Sequence, residues 1–175
     1  MKELALDTKQ LKDNIDILRA GDRVLLSGVV YTARDAAHKR LTEMINAGQP
    51  LPFEINGACI YFAGPTPAPE GMVIGSCGPT TSGRMDAYSP LLLDHGLCGM
   101  IGKGPRSRDV IDSIVKNRAV YFCAVGGAGA LAAKCITEAQ EIAFGDLGCE
   151  SIKRLVLKDF PLVVGIDCKG NSIIK

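Results

Sequence analysis

Residues 23–48 read RVLLSGVVYTARDAAHKRLTEMINAG, and a change of period inside this stretch decides the fold class. The first eleven residues are rich in β-branched side chains and predict a strand, with Gly28 marking a bulge. From residue 34 the apolar positions fall at Ala36, Ala37, Leu41, Met44 and Ile45, the spacing of one helix face. Gly48 is a natural stop for that helix. A strand therefore runs straight into a helix through a polar junction at Thr32, Arg34 and Asp35.

The same alternation extends outward on both sides. Before it, Leu11, Ile15 and Leu18 predict a short amphipathic helix that ends at Gly21. After it, the proline- and glycine-rich residues 49–71 enclose one apolar run, ACIYFAG, read as a loop, a strand and a loop. MVIGSCGP (72–79) predicts another strand, and residues 84–95 a helix. CGMIGKG (98–104) is a strand entering a glycine loop. SRDVIDSIVKNR (107–118) is a helix with Ser107 as its N-cap. AVYFCAVGG (119–127) is a strand, GAGALAAKC (127–135) a helical turn, and residues 152–174 two β-rich segments around Asp159, Phe160 and Pro161. Alternation in the middle with β-rich flanks predicts an α/β fold with a mixed sheet, in one domain over 1–175.

Composition narrows the function classes. The 175 residues are 47% hydrophobic and 22% charged, an ordinary globular balance. Twenty basic residues against nineteen acidic leave a net charge of +1, which offers no field for nucleic acid or an anionic membrane. No window of about 20 apolar residues spans a bilayer, and the charged N-terminus lacks the apolar core of a secretory signal. The expected location is the cytoplasm. Seven cysteines contain no C-x-x-C pair, so neither a zinc ribbon nor a ferredoxin-type cluster is written locally. Several lie within apolar runs, where free cysteine behaves as a small buried hydrophobe. No metal ligand is assigned to this chain.

Three cationic residues stand at expected strand-to-helix junctions: Arg34, Arg84 and Lys103. Arg34 follows the 23–33 strand, where α/β sheets place ligands. Four residues on, His38 shares its helix face. The plainer alternative pairs Arg34 with Asp35 and leaves His38 on the surface. Arg84 sits in GPTTSGRMD (78–86), where Thr80, Thr81 and Ser82 supply three consecutive hydroxyls; the alternative there is an N-cap with Arg84 solvated. Lys103 lies between two glycines outside any P-loop pattern. The glycines near 126–129 do not complete G-x-G-x-x-G, although Ala132 stands where some dinucleotide loops accept alanine. One pocket for a small dicarboxylate fits the three cations.

The motifs TARDAAHKR (32–40), ING (55–57), FAGP (62–65), GPTTSGRMD (78–86) and GKG (102–104), with DFP and KGN near the end, occur in that order. Together they resemble the C-terminal domain of class I fumarate hydratases and the β subunits of related iron–sulfur hydro-lyases. The resemblance implies a swivelling β/β/α domain. It also implies a hetero-oligomer in which a separate α subunit carries a [4Fe–4S] cluster and this chain binds none. It assigns Arg34, Thr80, Thr81, Ser82, Arg84 and Lys103 to the dicarboxylate substrate, with Asp35 and His38 orienting Arg34. It names Thr80 as the base for the C3 proton of malate. A neutral threonine is a weak base, so this role demands an activated hydroxyl or a relay. The sister activity is dehydration of L-tartrate; Gly83, Ala36 and Ala37 fit the fumarate pattern better. A non-catalytic dicarboxylate-binding module and a metalloprotein using its own cysteines are the remaining alternatives.

Overall fold

The computed structural model describes residues 2–125, 127 and 129–174. Its frame is a mixed sheet in the order β1-β2-β3-β4-β5-β7-β6, with an additional pairing of β2 to β7. The strands are β1 (Glu3–Asp7), β2 (Arg23–Thr32), β3 (Cys59–Tyr61), β4 (Gly99–Gly102), β5 (Val120–Cys123), β6 (Ile136–Ala143) and β7 (Ile152–Ile166). β2 through β5 run parallel, and antiparallel β7 bonds both β5 and β2, closing a five-stranded ring. The mixed α/β architecture expected from the alternation is the one observed.

Two long strands make closure work. β2 pairs along most of its length with β7, while its other edge serves β1 at residues 23–27 and β3 at Tyr31 and Thr32. β7 in turn meets β6 through residues 152–157 and β5 through 163–166. Their shared register breaks between Leu26 and Gly28, where two residues of β7, Lys158 and Asp159, stand opposite Ser27 alone. Asp159 has φ 50° and donates its N–H to Ser27 Oγ at 3.0 Å. The irregularity expected at Gly28 is therefore present, with the extra residue on β7. The expected pair of C-terminal segments is one strand kinked at that point.

Two apolar layers hold the frame. One gathers residues from all five ring strands, including Leu26, Tyr61, Ile101, Phe122 and Leu155. The other gathers Ile60, Phe62, Met100 and Tyr121 with side chains of α2 (Asp35–Asn46), α3 (Ser89–Asp94) and α4 (Arg108–Asn117). Successive residues of β3 alternate between the layers, so both faces of the sheet are covered and its strands read as continuous apolar runs.

Several sequence expectations are corrected. Residues 72–79 form no strand: the loop folds back on itself, with Thr66 N–H donating to Ser76 O and Cys77 N–H to Gly129 O. A Cβ at Gly75 would lie 2.2 Å from Thr66 Oγ1, so only glycine permits that return. The single helix expected over 84–95 is a 3-10 turn at Ser82–Met85, a bend, and then α3 with Pro90 in its first turn. Strands β1 and β6 carried no clear signal, because each is short or largely exposed at a sheet edge. The opening helix is a short α1 (Leu11–Asn14) between 3-10 turns, yet Leu11, Ile15 and Leu18 are buried as their spacing requires. The strand expected over 119–127 is β5, and the glycine-loop reading there falls partly on Gly126 and Ala128, outside the described residues. The helical turn expected after it is α5 (Gly129–Lys134).

Candidate functional site

The parallel strands end side by side, and the candidate residues sit on that edge. Ala33 N–H donates to Tyr61 O and Phe62 N–H to Ile101 O, which sets the ends of β2, β3 and β4 in one row. Arg34 leaves β2 with extended backbone and begins α2, its carbonyl accepting from the His38 N–H at 2.8 Å. Thr80 docks at the end of β3: both its N–H (2.7 Å) and its hydroxyl (2.9 Å) donate to Phe62 O. Thr81 then forms a parallel bridge with Lys103, just beyond β4. The positions are those where α/β sheets present ligands.

Arg34, Asp35 and Arg84 line one open depression of about 290 Å³, together with Ala36, Lys39, Tyr88 and Glu150. Asp35 stands between the two arginines, 3.0 Å from Arg84 Nε and 3.9 Å from Arg34 Nη2. Arg84 is at the rim, its side chain 58% exposed, whereas that of Arg34 is 23% exposed. Thr80 and Lys103 do not line this depression; they occupy the adjoining stretch of the strand edge, with Lys103 and Thr81 exposed.

Ser82 departs from its expected role. It is fully buried, and its Oγ accepts from the Lys103 N–H (3.0 Å) and from the Tyr121 hydroxyl (2.8 Å). It locks the 81–85 turn to the end of β4 rather than offering a donor to solvent. A Cβ at Gly102 would come 1.9 Å from Ser82 Oγ, which is why the strand ends in glycine.

His38 is not the surface residue of the plainer alternative. It is fully buried, with Nδ1 2.9 Å from Arg34 O and its ring set edge-on to Phe62. Burial, helped by the positive charge of Arg106 and opposed by the Arg34 carbonyl and Asp35, lowers its pKa to about 4. It is thus neutral near pH 7, and a neutral ring facing a carbonyl through Nδ1 carries its proton there, leaving Nε2 as a lone pair without a partner.

Two contributors escaped sequence reasoning. Arg106 is buried between the rings of Phe62 and Tyr121 and donates to Asp86 Oδ1 (2.7 Å) and Ser89 Oγ (2.7 Å), fixing the segment that bears Arg84. Glu150 ends the 3-10 turn Gly145–Glu150 and places Oε1 3.6 Å from Arg34 Nε. Asp86 lay inside a conspicuous motif and was one available signal for the first; no local pattern marks Glu150.

All seven cysteines are free thiols, four of them buried. Burial pushes Cys77 up to about 12 and Cys98 up to about 11, which keeps both thiols protonated near pH 7. Among the described residues no three histidine, cysteine or acidic side chains are grouped to share a metal ion. Nor, among the described residues, is any helix long and apolar enough to cross a membrane.

The family described as Fumarase C-terminus matches residues 1–175. The chain is similar to fumarate hydratase 2 of Leishmania major, 41% identical over 155 residues, which cover 87% of this chain and 27% of that protein. It is 36% identical over 171 residues to a protein of Methanocaldococcus jannaschii described as a putative L(+)-tartrate dehydratase subunit beta, covering 94% and 88%. With the L(+)-tartrate dehydratase subunit beta of Escherichia coli it shares 33% identity over 179 residues, covering 99% and 87%. The chain thus spans about a quarter of the fumarate hydratases it matches and nearly all of the tartrate dehydratase subunits.

Proposed function

Because this chain belongs to the Fumarase C-terminus family, we propose that it is the β subunit, or C-terminal-type domain, of an iron–sulfur hydro-lyase interconverting fumarate and L-malate. The observation that carries this reading is the convergence of Arg34 and Arg84 on one depression, with Asp35 between them. Guanidinium forks bind carboxylates bidentately, and two of them suit a dicarboxylate. Lys103, on the adjoining edge, supplies a third positive charge. In this reading the [4Fe–4S] cluster is carried by an α subunit, as the family resemblance implies.

The residues of this chain then divide as follows. Arg34 and Arg84 hold the carboxylates, and Asp35 orients both arginines. His38, neutral and buried, donates from Nδ1 to the Arg34 carbonyl and steadies the first turn of α2. Thr80 Oγ1 holds its proton against Phe62 O. To take the C3 proton of malate it must first pass that proton on, and a backbone carbonyl cannot remove it. The group completing the relay is assigned to the partner.

Dehydration of L-tartrate is the second reading, favoured by the 87–88% coverage of tartrate dehydratase β subunits. The identity favours the fumarate hydratases, at 41%. Anaerobic assays of fumarate hydration and L-tartrate dehydration, with and without a cluster-loaded α subunit, separate them. Activity only in the pair and chiefly on fumarate is the expected result. Preference for tartrate would replace the substrate. Turnover of neither, with malate still bound by the chain, would leave a binding module.

A further inference from the structure

We propose that Glu150 is a resident counter-carboxylate of Arg34, displaced when a ligand carboxylate binds, and that its charge sets the site's affinity for dicarboxylates. The proposal rests on the dicarboxylate reading above. Within the depression Arg34, Arg84 and Lys39 face Asp35 and Glu150, so the two carboxylates offset all but one of the positive charges. A dianion entering such a site meets one net positive charge from these five groups, and neutralising Glu150 would raise it to two.

The two acidic residues meet the arginines at different distances, although Asp35 Oδ2, like Glu150 Oε1, is buried without a hydrogen-bond partner. Asp35 approaches Arg84 at 3.0 Å, whereas Glu150 Oε1 stands 3.6 Å from Arg34 Nε. Both of those atoms are buried, and neither has a hydrogen-bond partner. At 3.6 Å the two charges attract, but the contact is longer than a hydrogen bond, so part of their desolvation is left uncompensated. A ligand carboxylate meeting the Arg34 fork directly would recover what Glu150 leaves unmade.

The approach of Glu150 is built into the fold. Arg40 of α2 pairs with Asp146 and stacks 5.2 Å over Phe144, anchoring the 145–150 turn against the helix that Arg34 begins. Arg34 reaches that turn by crossing Gly64: a Cβ there would lie 2.9 Å from Arg34 Cδ and 3.2 Å from Cys149 O. The carboxylate is thus delivered to the arginine by a separate element that can withdraw its side chain without moving the strand edge.

The test is an NMR titration of the full chain with L-malate, following the Nε–H resonances of Arg34 and Arg84 in wild type, Glu150→Gln and Glu150→Asp. Removing one negative charge at this range is expected to tighten half-saturation about three- to tenfold in Glu150→Gln. Glu150→Asp, which keeps the charge, should stay near wild type. Equal or weaker binding in Glu150→Gln, or equal tightening in both variants, would overturn the proposal while leaving the dicarboxylate reading intact. If malate moves neither arginine in any of the three proteins, whether alone or paired with the α subunit, the dicarboxylate reading itself fails and the proposal falls with it.

Discussion

Arg106 Nε donates to Asp86 Oδ1 at 2.7 Å from a side chain with no solvent exposure, sandwiched between Phe62 and Tyr121. The second oxygen of Asp86 accepts the Ser107 N–H at 2.6 Å. One ion pair therefore ties the segment carrying Arg84 to the start of α4. Removing one partner of a buried pair leaves the other charge uncompensated, so Arg106→Met is expected to cost about 3 to 5 kcal/mol in urea unfolding. A cost under about 1 kcal/mol, the range of surface pairs, would show that the pair does not hold the segment.

His38 makes stability depend on pH in a defined direction. Its folded pKa is about 4 against the usual 6.5, so between those values the unfolded chain takes up a proton that the folded chain refuses. Its contribution is intact above pH 6.5 and is lost as pH falls toward 4, with a drop of about 2 kcal/mol by about pH 5. Denaturant unfolding at about pH 7 and about pH 5 should show a clearly smaller drop in His38→Asn than in wild type. An identical drop in both would place the titrating group elsewhere.

Gly64→Ala tests whether Arg34 needs its passage. The added methyl meets Arg34 Cδ and the Cys149 carbonyl, so the side chain must move. The expected stability cost is about 1 to 2 kcal/mol. Malate binding read at Arg34 should weaken about tenfold or more, because a misplaced fork loses its geometry. Unaltered binding would mean that the arginine reaches its ligand by another route.

Arg84→Ala, assayed with the cluster-bearing partner, is expected to lower kcat/KM about 10- to 100-fold, the value of a charged hydrogen-bond donor. Asp35→Asn should have a smaller effect, since it loosens both arginines but removes neither. A normal kcat/KM in Arg84→Ala would take this residue out of the site.

Thiol reactivity should follow burial. Cys149 is exposed, whereas Cys59, Cys77, Cys98 and Cys168 are buried. Brief alkylation of the native chain followed by peptide mass mapping should label Cys149 first. Early labelling of Cys59 or Cys98 would reveal local opening of β3 and the approach to β4.

Short-range patterns were legible along the chain. The β2–α2 junction at Arg34 was legible because a β-branched run gives way to helical spacing within a few residues. Ser107 was legible as a cap, and its Oγ accepts from Val110 N–H at 3.4 Å. The ordered motifs likewise marked Thr80, Arg84 and Lys103 as candidates. The tertiary structure alone decided how those pieces meet. Ring closure depends on β7 pairing with strands distant in the chain, and β1 and β6 become strands only because β2 and β7 offer them an edge. His38, Ser82 and Arg106 are polar residues whose types favour the surface, and only long-range packing supplies the partners that bury them. Glu150 reaches Arg34 by the same route. Local sequence sets backbone preference and face, whereas pairing and desolvation are settled by residues far apart in the chain.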